Sequence, residues 1–200
     1  MSSGKLTNKN PKNEYPILSF ETPEAWRLWL EENHSIGNGG WIKLNKKGSG
    51  ITLINYADAL EEALCFGWID GQVKTFDEKS YLQKFTPRRP KSLWSKRNIE
   101  NIARLTSEGR MRSAGLKEAE TARTDGRWDK AYDSPGNMTI PEDFLSELSK
   151  DKKALTFFET LNKANTYAIA WRLQTAKKTG TREKRIKMIL DMLSRGEKFH

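Results

Sequence analysis

One cysteine and two histidines stand among 200 residues. A single thiol excludes an intramolecular disulfide, and the set as a whole excludes a zinc knuckle or a His-rich metal centre. Cys65 sits in the apolar run Ala63-Leu64-Cys65-Phe66, far in sequence from either histidine, and reads as a buried structural thiol rather than a nucleophile. No apolar stretch approaches the length of a membrane span. The Lys-, Asn- and Pro-containing start has no hydrophobic h-region, so a disordered leader over residues 1–13 is expected in place of a secretory signal. With few thiols and no signal, the expected compartment is the cytoplasm. Catalytic signatures are missing too. There is no Gly-x-x-x-x-Gly-Lys loop and no Gly-x-Ser-x-Gly elbow. Gly37-Asn38-Gly39-Gly40 precedes a strand-like run, whereas a phosphate-cradling loop should follow a strand and open a helix. No cofactor is expected.

Basic charge is plentiful and uneven. The chain holds 35 Lys and Arg against 26 Asp and Glu, for a net +9. Residues 150–200 carry thirteen basic and five acidic residues, so +8 of that excess belongs to the last quarter. Seven tryptophans promise large buried areas, with several indoles expected at the rim of a cleft.

The pattern predicts an α+β fold: a small antiparallel sheet with packed helices, followed by an all-helical C-terminal segment. Ile17-Leu18-Ser19-Phe20 reads as a strand. Thr22 as N-cap with Pro23 behind it opens a helix over 23–33. Residues 41–46 alternate like a half-buried strand. Asn55 caps a helix over 56–66 that Gly67 ends. Residues 68–76 and 81–86 flank the polar turn Asp77-Glu78-Lys79 as a hairpin. Helices are expected at 95–107, 114–125, 141–149, 152–161, 163–178 and 182–195. Asp133-Ser134-Pro135-Gly136-Asn137 is the clearest break, giving an α+β domain at 14–135 and a helical, basic subdomain at 136–200.

Four segments carry candidate chemistry. In Phe66-Gly67-Trp68-Ile69-Asp70-Gly71, Trp68 and Asp70 either form a cleft wall with Asp70 as acid or base, or mark a bulged strand whose aspartate bonds its own turn. Between Arg88 and Asn98 lie Arg88, Arg89, Lys91, Lys96 and Arg97 with no acid and with Trp94 among them. That suits phosphate or carboxylate binding, or equally a solvated loop whose arginines pair elsewhere. Ser95 and Thr181 read as N-caps. Lys96 and Arg97, and likewise Arg182 and Arg185, then fall at helix starts, where the macrodipole disfavours cations by about 0.3–1 kcal/mol each. A bound phosphate would reverse that cost. Arg127 beside Trp128 suits a cation–π contact.

The run of motifs resembles a known family. Residues 41–47, Ala63 through Gly71, Thr86-Pro87-Arg88-Arg89 with Trp94-Ser95-Lys96-Arg97-Asn98, Asp125-Gly126-Arg127-Trp128 and Thr181 through Ile186 are similar, in that order, to the YdeI/OmpD-associated family, from about Phe20 to Gly196. Bacterial members are labelled bacteriocin-protection proteins. The resemblance implies resistance to bacteriocins or cationic peptides, association with an outer-membrane porin, and a periplasmic site. The missing signal departs from the last of these. It implies no catalytic residues, so the shared motifs mark binding positions only.

Two functional readings follow. The first is a binding protein whose basic Trp/Arg cleft takes nucleic acid, a phosphorylated metabolite or an acidic protein surface through Lys43, Trp68, Arg88, Arg89, Trp94, Lys96, Arg97, Arg127, Arg182 and Arg185. The second is an enzyme with Asp70 as acid or base and Lys43, Arg88 and Arg89 clamping an anion.

Overall fold

Local signals set the first elements in a computed structural model that describes residues 15–134 and 136–200. The Thr22 hydroxyl accepts from the Ala25 amide at 3.2 Å and opens α1 (Pro23–Asn33), with proline where no amide is needed. The Asn55 side chain accepts from Asp58 N at 3.0 Å and opens α2 (Tyr56–Cys65). Gly67, at φ +74°, turns the chain out of that helix into the sheet. The expected leader at 1–13 lies outside the described residues, as does Pro135 at the expected domain boundary.

The sheet has four strands, β1 (Ile17–Ser19), β2 (Gly40–Asn45), β3 (Trp68–Thr75) and β4 (Ser80–Pro87), in the order β1-β2-β4-β3. The antiparallel pairs β2·β4 and β3·β4 form its body, and β1 adds a parallel pair at the edge. The register breaks between Asp70 and Val73, the bulge anticipated beside Gly71. After the sheet come α3 (Lys96–Ser107) and α4 (Ser113–Thr124), then α5 (Glu142–Leu148), α6 (Lys152–Glu159), α7 (Lys163–Gln174) and α8 (Thr179–Ser194). The α+β class and the helical C-terminal segment stand as expected.

By contact, the chain divides into two units. The first holds residues up to Trp94 together with Asn98–Lys130, and the second holds Ser95–Arg97 with Ala131–His200. The first unit has an aromatic core. Trp26 stacks on Trp29 at 5.3 Å and meets Trp68 edge-on at 6.2 Å, with Phe85 at 6.0 Å. Trp29, Trp128 and Trp171 are partly exposed, whereas Trp26, Trp68 and Trp94 are buried, so these last indoles stand at no cleft rim. Two of their N–H groups go to backbone carbonyls instead: Trp26 Nε1 to Ala59 O at 3.1 Å and Trp68 Nε1 to His34 O at 3.2 Å. Full burial of such rings outweighs their polar tip once the tip has an acceptor.

The second unit has a mainly aliphatic core of Leu148, Ile169, Leu173, Ile189 and Leu193, with Phe144 its one wholly buried ring among the described residues. Asp151 caps α6 through Lys153 N and Ala154 N, and Asn162 caps α7 through Asn165 N. The last helix starts two residues before Thr181. Lys178 takes the N-cap position with no side-chain bond, so Thr181 lies inside the first turn. Among the described residues no helix is long and apolar enough to cross a membrane.

Candidate functional site

Strand alternation sorts the sheet into two faces. Ile42, Leu44 and Phe85 point one way and are wholly buried, on the side where α1 supplies Trp26. The register places Trp41 opposite Lys84, and Lys43 and Lys74 on either side of Leu82, all on the other face. There each lysine lies over a ring. The Lys43 ammonium is 4.5 Å from the Phe76 centroid, Lys74 is 4.5 Å from Trp41, and Lys84 is 3.7 Å from Tyr15 and 5.9 Å from Trp41. Each such contact is worth about 0.5–1 kcal/mol at a wet surface. Trp41 is thereby covered, while Phe76 stays 47 % exposed. The strand positions of this face carry no carboxylate among the described residues.

The nearest acid is Asp77 on the hairpin turn, 3.3 Å from the Lys43 ammonium. It accepts from Ser80 N at 2.6 Å, Ser80 Oγ at 2.7 Å and Lys79 N at 2.9 Å. The Ser80 hydroxyl leads in holding its carboxyl down at about 2, with the two amides and Lys43 adding to it. Asp77 is thus an organiser of the turn.

Asp70 lies on the buried-face side of β3, opposite Phe85, and accepts the Tyr56 hydroxyl at 2.9 Å. Its partner is a helix residue rather than its own turn. Trp68, buried with its N–H spent on His34, forms no cleft wall.

The second segment and Arg127 do converge, as a stack. The Arg88 guanidinium lies 3.5 Å over Trp94, Trp94 meets Trp128 at 5.1 Å, and Arg123 caps Trp128 at 4.3 Å. Arg88 and Trp94 are buried in it. Arg88 Nη1 donates to Leu93 O at 3.2 Å and Arg127 Nη1 to Ser92 O at 2.9 Å, so two guanidiniums hold the carbonyls of the connecting loop. Arg127 also pairs with Asp125 at 2.8 Å. Only Arg89 and Lys91 of this loop's cations are exposed.

Lys96, Arg97, Arg182 and Arg185 belong to the second unit. Lys96 pairs with Asp133 at 2.6 Å, and Arg97 is exposed. Arg182 grips Asp143 through Nε at 2.5 Å and Nη2 at 2.6 Å, and donates to Leu173 O at 2.7 Å. Arg185 donates to Arg172 O and, at 3.1 Å, to Thr175 Oγ1. The two arginines at the start of α8 therefore rest on the carboxyl end of α7. The penalty at one helix's positive end is offset at the other's negative end, without a phosphate.

Sequence reasoning missed a charged network in the first unit. Buried Glu62 receives Arg27 Nη1 and Arg110 Nη2, each at 2.6 Å, while Glu61 receives Arg104 at 2.5 Å and Arg110 at 3.1 Å. Burial works against the charge on Arg110, but the bond and charge of Glu62, with the bond to Glu108, together outweigh it and raise its pKa. Burial likewise pushes the Cys65 thiol up, against formation of the thiolate. Arg27, Glu61, Glu62 and Arg110, with Glu24 and Asp58, line a cleft of about 480 Å³. A signal was present: Glu62 shares a helix face with Ala59, Ala63 and Phe66, where an acid needs a partner. Among the described residues no group of three or more His, Cys, Asp or Glu could hold a metal ion.

Residues 18–118, spanning the sheet and most of the first unit, match the family described as domain of unknown function DUF8412. The chain belongs to this family. Residues 137–196, the α5–α8 segment, match the family described as bacteriocin-protection, YdeI or OmpD-associated. The expected resemblance is thus found over the C-terminal helices, whereas the sheet motifs fall within the DUF8412 match. No curated protein and no solved structure matches the chain.

Proposed function

We propose that the chain is a binding protein of the bacteriocin-protection type that takes an extended polyanion, single-stranded nucleic acid first, across the lysine face of its sheet. One observation carries this: Lys43, Lys74 and Lys84 stand on three neighbouring strands of one face, interleaved with aromatic rings, and those strand positions bring no acid. Neighbouring strands lie about 4.8 Å apart, so Lys43 and Lys74 root roughly 10 Å from each other across β4. That separation suits a chain of spaced charges better than one small anion. Phe76, half exposed at the edge, offers a ring for a base to stack on. The arginine cleft expected from sequence is a weaker support, because Arg127, Lys96 and Arg182 already hold carboxylates and Arg88 is buried on Trp94. On the lysine face, by contrast, Lys43 alone of the three reaches an acid among the described residues, Asp77 of the turn. The enzymatic reading has less still, since Asp70 does not line the cleft at Glu61 and Glu62 and is bonded to Tyr56.

Anisotropy of a labelled oligothymidylate at increasing salt tests the proposal. Three lysines displacing counterions from a single strand give a slope of log K against log salt of about −2. Replacing Lys43, Lys74 and Lys84 together by Gln should flatten that slope and abolish binding at 50 mM salt, a condition chosen for the assay. An unchanged slope in the triple variant, or no binding by the parent at that salt, removes the proposal.

A further inference from the structure

In the second unit, α5 and α8 enclose a groove of about 470 Å³. Its origin is legible in α8. Ile186, Ile189, Leu190 and Leu193 form an apolar stripe wider than the core needs. Ile189 and Leu193 are wholly buried, whereas Ile186 and Leu190 are only half covered and lie in the groove between the helices. Asp143 and Glu147 of α5 and Glu183, Lys187 and Asp191 of α8 complete the lining.

The charges in this lining run against their surroundings. Residues 150–200 carry +8, yet four carboxylates face one ammonium here. Two of the four are already answered, Asp143 by Arg182 and Glu147 by Lys150. Glu183 and Asp191 have no ion pair among the described residues. They stand two helical turns apart on the exposed side of α8, about 12 Å along its axis, with Ile186 and Leu190 between them.

We propose that this groove docks an amphipathic helix bearing lysine or arginine from a partner protein. Two apolar side chains at i and i+3 or i+4 would seat on Ile186 and Leu190, and cations roughly seven residues apart would meet Glu183 and Asp191. Charge selects this occupant. An acidic helix would face two carboxylates that no ion pair holds, and a second copy presenting the same groove would set like charges against like. The surrounding positive segment repels such a helix only at range. At physiological salt the screening length is about 8 Å, so the carboxylates in contact dominate.

The test uses the full chain and a labelled fourteen-residue designed helix, with leucines on one face and lysines flanking them, read by anisotropy at 0.15 M salt. The expected result is binding that weakens at least tenfold when Glu183→Lys and Asp191→Lys are combined, both exposed positions, with helical circular dichroism and Tm unchanged. The same peptide with its leucines changed to serine should lose binding to the parent chain. Equal binding by the charge-reversed variant overturns the proposal, as does equal binding of a leucine/glutamate peptide, or no binding by the parent. Self-association of the chain that the charge reversal abolishes would give the groove to a second copy and overturn it too.

Discussion

Glu62 in the first unit is buried and answered by two guanidiniums, whereas Glu147 and Lys150 in the second meet in the open, with side chains 47 % and 66 % exposed. The same pairing of charges has different consequences in the two places. Removing one partner from a buried pair strands a charge in a poorly solvated site, while an exposed pair is exchanged for water at little cost. The two cores differ in parallel. The first unit packs aromatic rings around Trp26, and the second interlocks mainly aliphatic side chains between helices. Ionic order in the first unit is therefore part of its interior, and in the second it decorates a core that stands without it.

The largest break in this comparison is Glu62→Ala. With Arg27 and Arg110 left facing each other, the first unit should lose about 3–5 kcal/mol, read as a drop in the denaturation midpoint, while Glu62 and both arginines replaced together by apolar residues should recover most of it. Leu193→Ala comes next, at about 3 kcal/mol from a buried aliphatic site, and should lower the second unit's transition. Asp77 gives a smaller, local effect. Its folded pKa of about 2 lies below the ordinary 3.8, so its support of the hairpin turn is complete above about pH 4 and is lost as pH falls through 2. Amide exchange at Lys79 and Ser80 should accelerate over that window, and Asp77→Asn should erase the pH dependence. Smallest of all, Lys150→Ala should change stability by less than about 0.5 kcal/mol. A loss as large as that of Glu62→Ala would dissolve the contrast between the units.

Short-range chemistry was legible in advance. Thr22 with Pro23, Asn55 and Gly67 marked their helix ends, because a cap or a left-handed residue acts within a few positions. Thr181 failed as a cap since Arg182 and Arg185 anchor the start of α8 to the end of α7, a constraint no local rule contains. The candidate site suffered most from the same blindness. Lys43 meets Asp77, Lys96 meets Asp133 and Arg182 meets Asp143, and in each case the partner lies more than thirty residues away. These cations found their acids in space rather than along the chain, while Arg89, Lys91 and Arg97 stay exposed. The sheet face was half visible, through the alternation at Trp41 and Lys43, but its other two lysines needed the strand register.

The division of the chain has one more implication. Ser95 bridges to Tyr132, the Lys96 amide donates to Tyr132 O at 2.8 Å, and the Lys96 ammonium reaches Asp133, so the second unit includes a three-residue strip that interrupts the sequence of the first. On a ribosome that strip emerges about 36 residues ahead of its mates, a delay of roughly 2–7 s at ordinary elongation speeds. For that interval the nascent polypeptide carries an unfinished seam, and any factor that grips newly made protein has its opening there.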